Sequence, residues 1–205
     1  MTLLAGHEQI ETERLVLRRI APDDLPFYAR IHANPDVARY LAHGRPRQLD
    51  ESRAWMDSVL ESYRALSLGQ LAVVRRSDGA VIGRCGLSYL ETEPEPSADG
   101  SRLGYYFPAR APEGVQPVIE SELGYTLDPA AWGHGYATEA VNAVFDYVTA
   151  NRPAERIVSL IHPENARSLR LAGRFRVTRV DRVALWGRQF DRYAWPVSKS
   201  PSTER

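Results

Sequence analysis

A chain of 205 residues with 26 acidic and 26 basic side chains has no net charge with which to seek nucleic acid or an anionic membrane surface. One cysteine, Cys85, excludes an internal disulfide and any multi-cysteine metal site, and no metal is expected. No run approaches the roughly 20 apolar residues of a membrane-crossing helix. The opening stretch is too polar for a secretory signal, so the expectation is a soluble cytoplasmic protein. Its length suits a single domain, residues 1–205, with a core of its own. Lys199 is the only lysine, so any local basic patch must be built from arginine.

In chain order, residues 14–20 (RLVLRRI) read as a first strand. Pro22, Asp23 and Asp24 then open a helix, because proline suits the first turn and carboxylates favour the positive end of the helix dipole. Residues 35–48 are turn-rich. A second amphipathic helix is expected over about 50–66, with Trp55, Val59 and Tyr63 at core spacing. Residues 70–76 and 80–90 are strand-like and joined by Ser77-Asp78-Gly79, a strong hairpin turn. Cys85, in the second of them, is expected to be a small buried hydrophobe.

Residues 91–100 (ETEPEPSADG) are acidic and proline-rich and read as an exposed loop. Residues 103–117 show no clean period and receive no assignment. A strand over 122–127, ended by Asp128-Pro129, leads through Gly133 and Gly135 into a helix over about 137–150. Its stripe is Ala137, Ala140, Val141, Val144, Phe145 and Val148, and Asn151-Arg152-Pro153 terminates it. A strand over 157–161, a short helix over 164–171 with Asn165 near its cap, and a hairpin of 177–186 and 189–197 around Gly187-Arg188 complete the pattern. The tail 198–205 reads as disordered. This order gives an α/β fold, a mixed sheet with helices on its faces.

The informative unit is the strand 122–127, the glycine loop and the helix after it. Such a turn exposes several backbone N–H groups where the helix dipole adds about half a positive charge, which suits a phosphate or pyrophosphate. A Walker loop would need a Gly-Lys-Ser/Thr ending, and a dinucleotide fingerprint a third glycine with a later acidic residue. Neither is present. Spacing alone therefore leaves two readings open: a phosphate cradle, or glycines that only shape a tight turn.

The wider string ELGYTLDPAAWGHGYATEA resembles the acetyl-CoA signature of the GNAT superfamily of N-acetyltransferases, most closely its ribosomal-protein-alanine (RimJ/RimL-like) branch. The family pattern Arg/Gln-x-x-Gly-x-Gly/Ala is matched by Trp132 to Ala137, with tryptophan in first place. Residues 162–171 (HPENARSLRL) resemble the family's Asn-x-x-Ser segment, and 11–18 (ETERLVLR) its opening strand. The resemblance covers about residues 10–197. It implies a mixed, mostly antiparallel central sheet with helices on both faces, and acetyl-CoA as co-substrate.

By that resemblance, backbone groups of Gly133, His134, Gly135, Tyr136, Ala137 and Thr138 would hold the pyrophosphate, next to Trp132. Backbone groups of Tyr125, Thr126 and Leu127 would pair with the pantetheine arm like an added strand. Asn165 would bond pantetheine or an ordered water. Glu122 is the candidate base, Glu120 a poorer alternative, and Ser168 the candidate acid toward sulfur. The tyrosine that many members carry three or four residues later is replaced by Leu171 or Ala172. His134 would tune the loop and His43 lies where the family often contacts substrate, while His162 receives no metal role. The turn 172–176 (AGRFR) is shortened relative to the family. The stretch 91–121 is much longer than the usual connection and reads as an inserted lid or dimer contact.

The implied reaction is direct attack of an amine on the thioester. Deprotonating an α-amine of pKa near 8 at pH 7 costs about 1.4 kcal/mol, against roughly 4.6 for a lysine, so a weak base suffices for the former. The expected acceptor is a protein N-terminus or a small amine, with neither nucleic acid nor membrane as partner and a homodimer possible from family habit. A longer acyl-CoA such as succinyl-CoA is the alternative donor, favoured by extra arginines near the acyl pocket. A non-catalytic acyl-CoA-binding module is the alternative from another class.

Overall fold

The computed structural model describes residues 9–41, 43–66, 69–151 and 156–196. Strands β1 (Gln9–Glu11) and β2 (Leu15–Arg19) pair antiparallel, and Leu15 and Leu17 of β2 alternate fully into the core. A tight turn over Pro22–Asp24 enters α1 (Leu25–His32). Asp24 fixes this entry by accepting from Arg18 at 2.7 and 2.8 Å and from the Ala21 N–H at 2.9 Å. The turn-rich segment that follows holds one short helix, α2 (Pro35–Ala38), capped by Asn34, before α3 (Leu49–Ala65).

The hairpin expected around Asp78 is present as β3 (Gln70–Arg75) and β4 (Val81–Thr92). The acidic segment departs from expectation at its start. Glu91 and Thr92 belong to β4 and are buried; only the residues after them form the exposed loop. Ala111 N–H and Arg110 hold the Glu91 carboxylate, at 2.8 and 2.6 Å, which satisfies the buried charge. The unassigned stretch contains β5 (Ser101–Tyr106). The central strand is longer than expected, β6 (Val118–Leu127), and leads into α4 (Tyr136–Asn151). Then come β7 (Ile157–Ile161), α5 (Ala166–Ala172) capped by Asn165, β8 (Thr178–Leu185) and β9 (Arg188–Ala194). The expected helix stop at Arg152-Pro153 and the tail 198–205 lie outside the described residues.

The nine strands among the described residues form one sheet. Helices cover both faces: Tyr28, Ile31, Met56 and Val59 of α1 and α3 pack on one, and Val141, Val144, Phe145 and Val148 of α4 on the other. Cys85 is completely buried, as its strand context implied. The 91–121 stretch is loop except for the end of β4, β5 and the start of β6. Its β5 lies beside the end of β4 and runs parallel to β8. The pairings β4–β5–β8–β9–β7–β6–β4 thereby close a circuit, with β1 left as the outer edge strand.

His32, on the α1 face, is 2% exposed and touches Ser52 Oγ at 3.2 Å. Burial pushes its imidazole from 6.5 down to about 3. Folding therefore expels a proton, so the stability this neutral ring contributes is full above pH 6.5 and is lost as pH falls toward 3. Urea midpoints are expected to drop steadily below pH 6.5 in the native protein and to fall less steeply in His32→Gln.

Candidate active site

β6 and β7 run parallel for only two pairs, Ser121 with Ile157 and Glu122 with Val158. Beyond them the strands diverge. Two side chains brace the opened edge. Ser159 Oγ donates to the Leu123 carbonyl at 2.6 Å and accepts from the Trp195 indole at 3.0 Å, while the Trp132 indole donates to the Leu127 carbonyl at 2.9 Å. Strand alternation turns the Tyr125 N–H and carbonyl toward the same gap. Thr126 instead faces its β4 partner, Arg84. Of the three residues expected to pair with a pantetheine arm, Tyr125 and Leu127 thus turn main-chain groups to the gap, the Leu127 carbonyl being held by Trp132.

At the open end, Gly133 and Gly135 both adopt φ of 81°. A Cβ at Gly133 would meet nothing, and one at Gly135 would approach only Arg14 Nη2, at 3.4 Å. These glycines are needed for backbone angle, not for crowding. The helix ladder is entered at Glu139, whose N–H donates to the Gly135 carbonyl, which leaves first-turn N–H groups of α4 directed at solvent. Three arginines surround the loop. Arg14 donates to the His134 carbonyl at 3.0 Å and lies over the Tyr136 ring, Arg167 lies 4.1 Å over Trp132, and Arg174 reaches Thr138 Oγ1 at 3.3 Å. Cationic side chains and helix amides converging on one loop are the chemistry of an anion cradle. His134 is exposed and stacks on Tyr136. Gly133→Ala costs about 1–2 kcal/mol at this φ, so binding of a phosphate-bearing ligand at this loop, measured by calorimetry, is expected to weaken about tenfold.

A cleft of about 500 Å³ opens beside the divergence, on the α3 side of the sheet. Gly124 lines it, and the Glu122 carboxylate lies where a Gly124 side chain would stand. Glu122 is 9% exposed. Burial pushes its carboxyl up to about 7, and Arg84, the Leu160 N–H and the Tyr106 hydroxyl each offset part of that rise. No ion pair ties it down among the described residues. Glu120, two residues earlier on the same face of β6, is buried against Arg192 of β9, with Arg156 at 3.7 Å. That pairing makes Glu120 structural and leaves Glu122, of the two, as the one that lines the cleft.

α5 brings Asn165 and Ser168 to the same cleft. Asn165 Oδ1 accepts from the Ser168 N–H at 3.2 Å as helix cap, so its Nδ2 is the group left to meet a ligand. Ser168 sits beside the Tyr125 hydroxyl and lowers it, against the burial that pushes this phenol up to about 12; the contact is short of a formed hydrogen bond. A tyrosine from β6 thus stands near Ser168, although α5 carries Leu171 and Ala172 where the family has one. The shortened turn closes compactly: α5 passes into a tight turn over Gly173–Phe175, Arg176 takes φ of 54°, and Phe175 packs on Trp195. Trp55, expected in the core, lines the cleft. His43 stands at its rim near Trp186, and His162 packs between Tyr40 and Phe190.

Residues 14–178 match the family model of the acetyltransferase (GNAT) domain. The chain belongs to the GNAT acetyltransferase family. It is 24% identical over 164 residues to the uncharacterized N-acetyltransferase p20 of Bacillus licheniformis, a match spanning 80% of this chain and 79% of that relative. Among solved structures it resembles an acetyltransferase from Agrobacterium tumefaciens str. C58, at a TM-score of 0.67 and 24% identity over 92% and 94% of the two chains. RimL, a ribosomal L7/L12 alpha-N-protein acetyltransferase, shares the fold at a TM-score of 0.63 and 15% identity over 91% and 93%. The mixed, mostly antiparallel sheet with helices on both faces is the GNAT fold, and the chain is an N-acetyltransferase.

Sequence reasoning missed Arg84, Arg47, Tyr106 and the second environment of Tyr125. Their signal was weak, because each lies in a strand or loop with no motif, and only the folded sheet brings them to one cleft.

Proposed function

We propose that this GNAT enzyme transfers an acetyl group from acetyl-CoA to a primary amine by direct attack on the thioester, with Glu122 as general base. The observation that carries this reading is the buried, unpaired Glu122 carboxyl, pushed up to about 7 at the edge of the strand divergence. A base poised near the working pH both holds its proton and returns it. The residues fit the donor. The 133–138 amides and the arginines around them suit its pyrophosphate, and the Tyr125 main chain with Asn165 Nδ2 suits its pantetheine arm.

Acetyl-CoA supplies a thioester whose carbonyl takes the amine and whose sulfur departs as thiolate. Glu122 accepts the proton that the nitrogen gives up as the N–C bond forms. Ser168 Oγ gives a proton to the sulfur as the C–S bond breaks, and the adjacent Tyr125 hydroxyl can restore it. The acceptor is a protein N-terminus, as RimL's name states for that fold neighbour, or a small amine.

Thiol release across a panel of peptides and amines, after calorimetric titration with acetyl-CoA, tests this. Absence of binding at millimolar acetyl-CoA overturns the donor assignment. Ser168→Ala is expected to slow turnover about tenfold, and Ser168→Ala with Tyr125→Phe further still; undiminished release in the double variant removes both from the acid role.

A further inference from the structure

The cleft wall opposite the donor gap carries positive charge that the protein does not match with bonded carboxylates. Arg84 of β4 is held from one side only. Its Nη1 donates to Gln70 Oε1 at 2.7 Å, and Gln70 is itself fixed by Nε2 donating to the Gly86 carbonyl at 3.1 Å and Ser88 Oγ at 3.0 Å. The guanidinium lies 5.5 Å over the Trp55 ring. Its Nε is buried without a hydrogen-bond partner, and Nη2 makes no hydrogen bond or ion pair among the described residues. The Nε–Nη2 edge is the one that grips a carboxylate with two parallel bonds.

Arg47 lines the same cleft from the loop before α3. Its backbone N–H is anchored on the His32 carbonyl at 3.0 Å, yet its guanidinium makes no hydrogen bond or ion pair among the described residues. Glu51, whose charge reaches Arg47, is itself bonded to Arg45 at 2.6 and 2.9 Å. Burial pushes Arg47 down to about 10, and repulsion from Arg84 adds to that. Two partly enclosed guanidiniums facing each other across a cleft are costly without an anion between them.

We infer that Arg84 and Arg47 form a carboxylate site, and that the acceptor is a small amine carrying a carboxylate close to its nitrogen, of the amino-acid class. This rests on the amine acceptance proposed above. The location decides between donor and acceptor as the source of the carboxylate. The donor's arm is expected in the gap between β6 and β7, whereas Arg84 lies on β4, across β6 from that gap. Arg84, Arg47 and Glu122 all line the one cleft of about 500 Å³, so one molecule can set its nitrogen at Glu122 and its carboxylate at the guanidiniums. A monoanion fits better than a phosphate, because the Glu122 carboxyl in the same cleft repels a dianion more strongly.

The test pairs each proteinogenic L-amino acid with its carboxamide in the thiol-release assay, using acetyl-CoA and then succinyl-CoA. The amide has the less basic amine, so nucleophile availability alone favours the amide; a kcat/KM ratio of 100 or more for the best acid over its amide is the expected result. In Arg47→Gln and Arg84→Lys that ratio is expected to fall about tenfold or more. Equal use of acid and amide, or a ratio unchanged in both variants, overturns the inference. A preference for succinyl-CoA that the variants abolish assigns the arginines to the donor and equally overturns it. Calorimetry of the preferred amino acid against the CoA-loaded protein separates the two claims. Carboxylate-dependent binding without thiol release sinks the proposed reaction and keeps the site; release with neutral amines alone does the reverse.

Discussion

Glu122→Gln is expected to lower kcat/KM for amine acetylation by a factor of about 10²–10⁴, the range a positioned general base supplies. The native profile should rise with pH through about 7, as the buried carboxyl loses its proton, and the variant should lack that limb while keeping any limb due to the amine. Stability moves the other way. Because burial raises this carboxyl from 4.5 to about 7, the folded state binds the proton more tightly than the unfolded chain. The stability it contributes is full below pH 4.5 and disappears as pH rises through about 7, a swing on the order of 3 kcal/mol. Glu122→Gln should therefore be no less stable than the native protein at pH 8, with a thermal midpoint at or above it. A crippled but fully folded variant is the signature of a base kept at a cost in stability. Native-like turnover with an unshifted pH profile would remove Glu122 from the mechanism.

Gly86→Ala should be a damaging single methyl. A Cβ there would stand 2.6 Å from the Gly69 carbonyl oxygen, 2.7 Å from Gln70 Cα and 2.9 Å from the Leu71 nitrogen. These are backbone atoms of β3, which cannot swing aside as a side chain would, so the β3–β4 ladder must part. Overpacking of this kind costs about 1–3 kcal/mol or more, or roughly 2–12 °C in thermal midpoint for a chain of this size. The shift also moves Gln70, which holds Arg84, so acceptor KM should rise together with the loss of stability. Gly133→Ala gives the contrast: its Cβ meets open space, so its effect falls on donor binding. Equal midpoints for Gly86→Ala and the native protein would mean that β3 yields more easily than its pairing suggests.

The donor side was legible because local rules act on contiguous residues. Gly133 and Gly135 need positive φ, Asn165 caps its own helix, and the stripe of α4 repeats at the helical period; each can be read in a window of a few residues. Glu122 was picked out by its place at the start of a strand, but nothing local separated it from Glu120. The partner that does so, Arg192, comes from β9, far along the chain. The strand β5 within 91–121 was not legible for a similar reason. The stretch's prolines and acidic residues carry loop signals, while the pairing of β5 with β4 and β8 is a long-range matter that composition does not encode.

By itself the sequence determined the main helices, the hairpins and the glycine loop, because hydrophobic period, turn chemistry and capping are short-range. The tertiary structure alone decided which carboxylate is left without an ion pair, that β6 and β7 part after two residue pairs, and that two arginines share a cleft with Glu122. Those are properties of burial and distance between residues remote in the chain. They set charge and proton affinity through desolvation, which has no meaning until the chain has closed around the group.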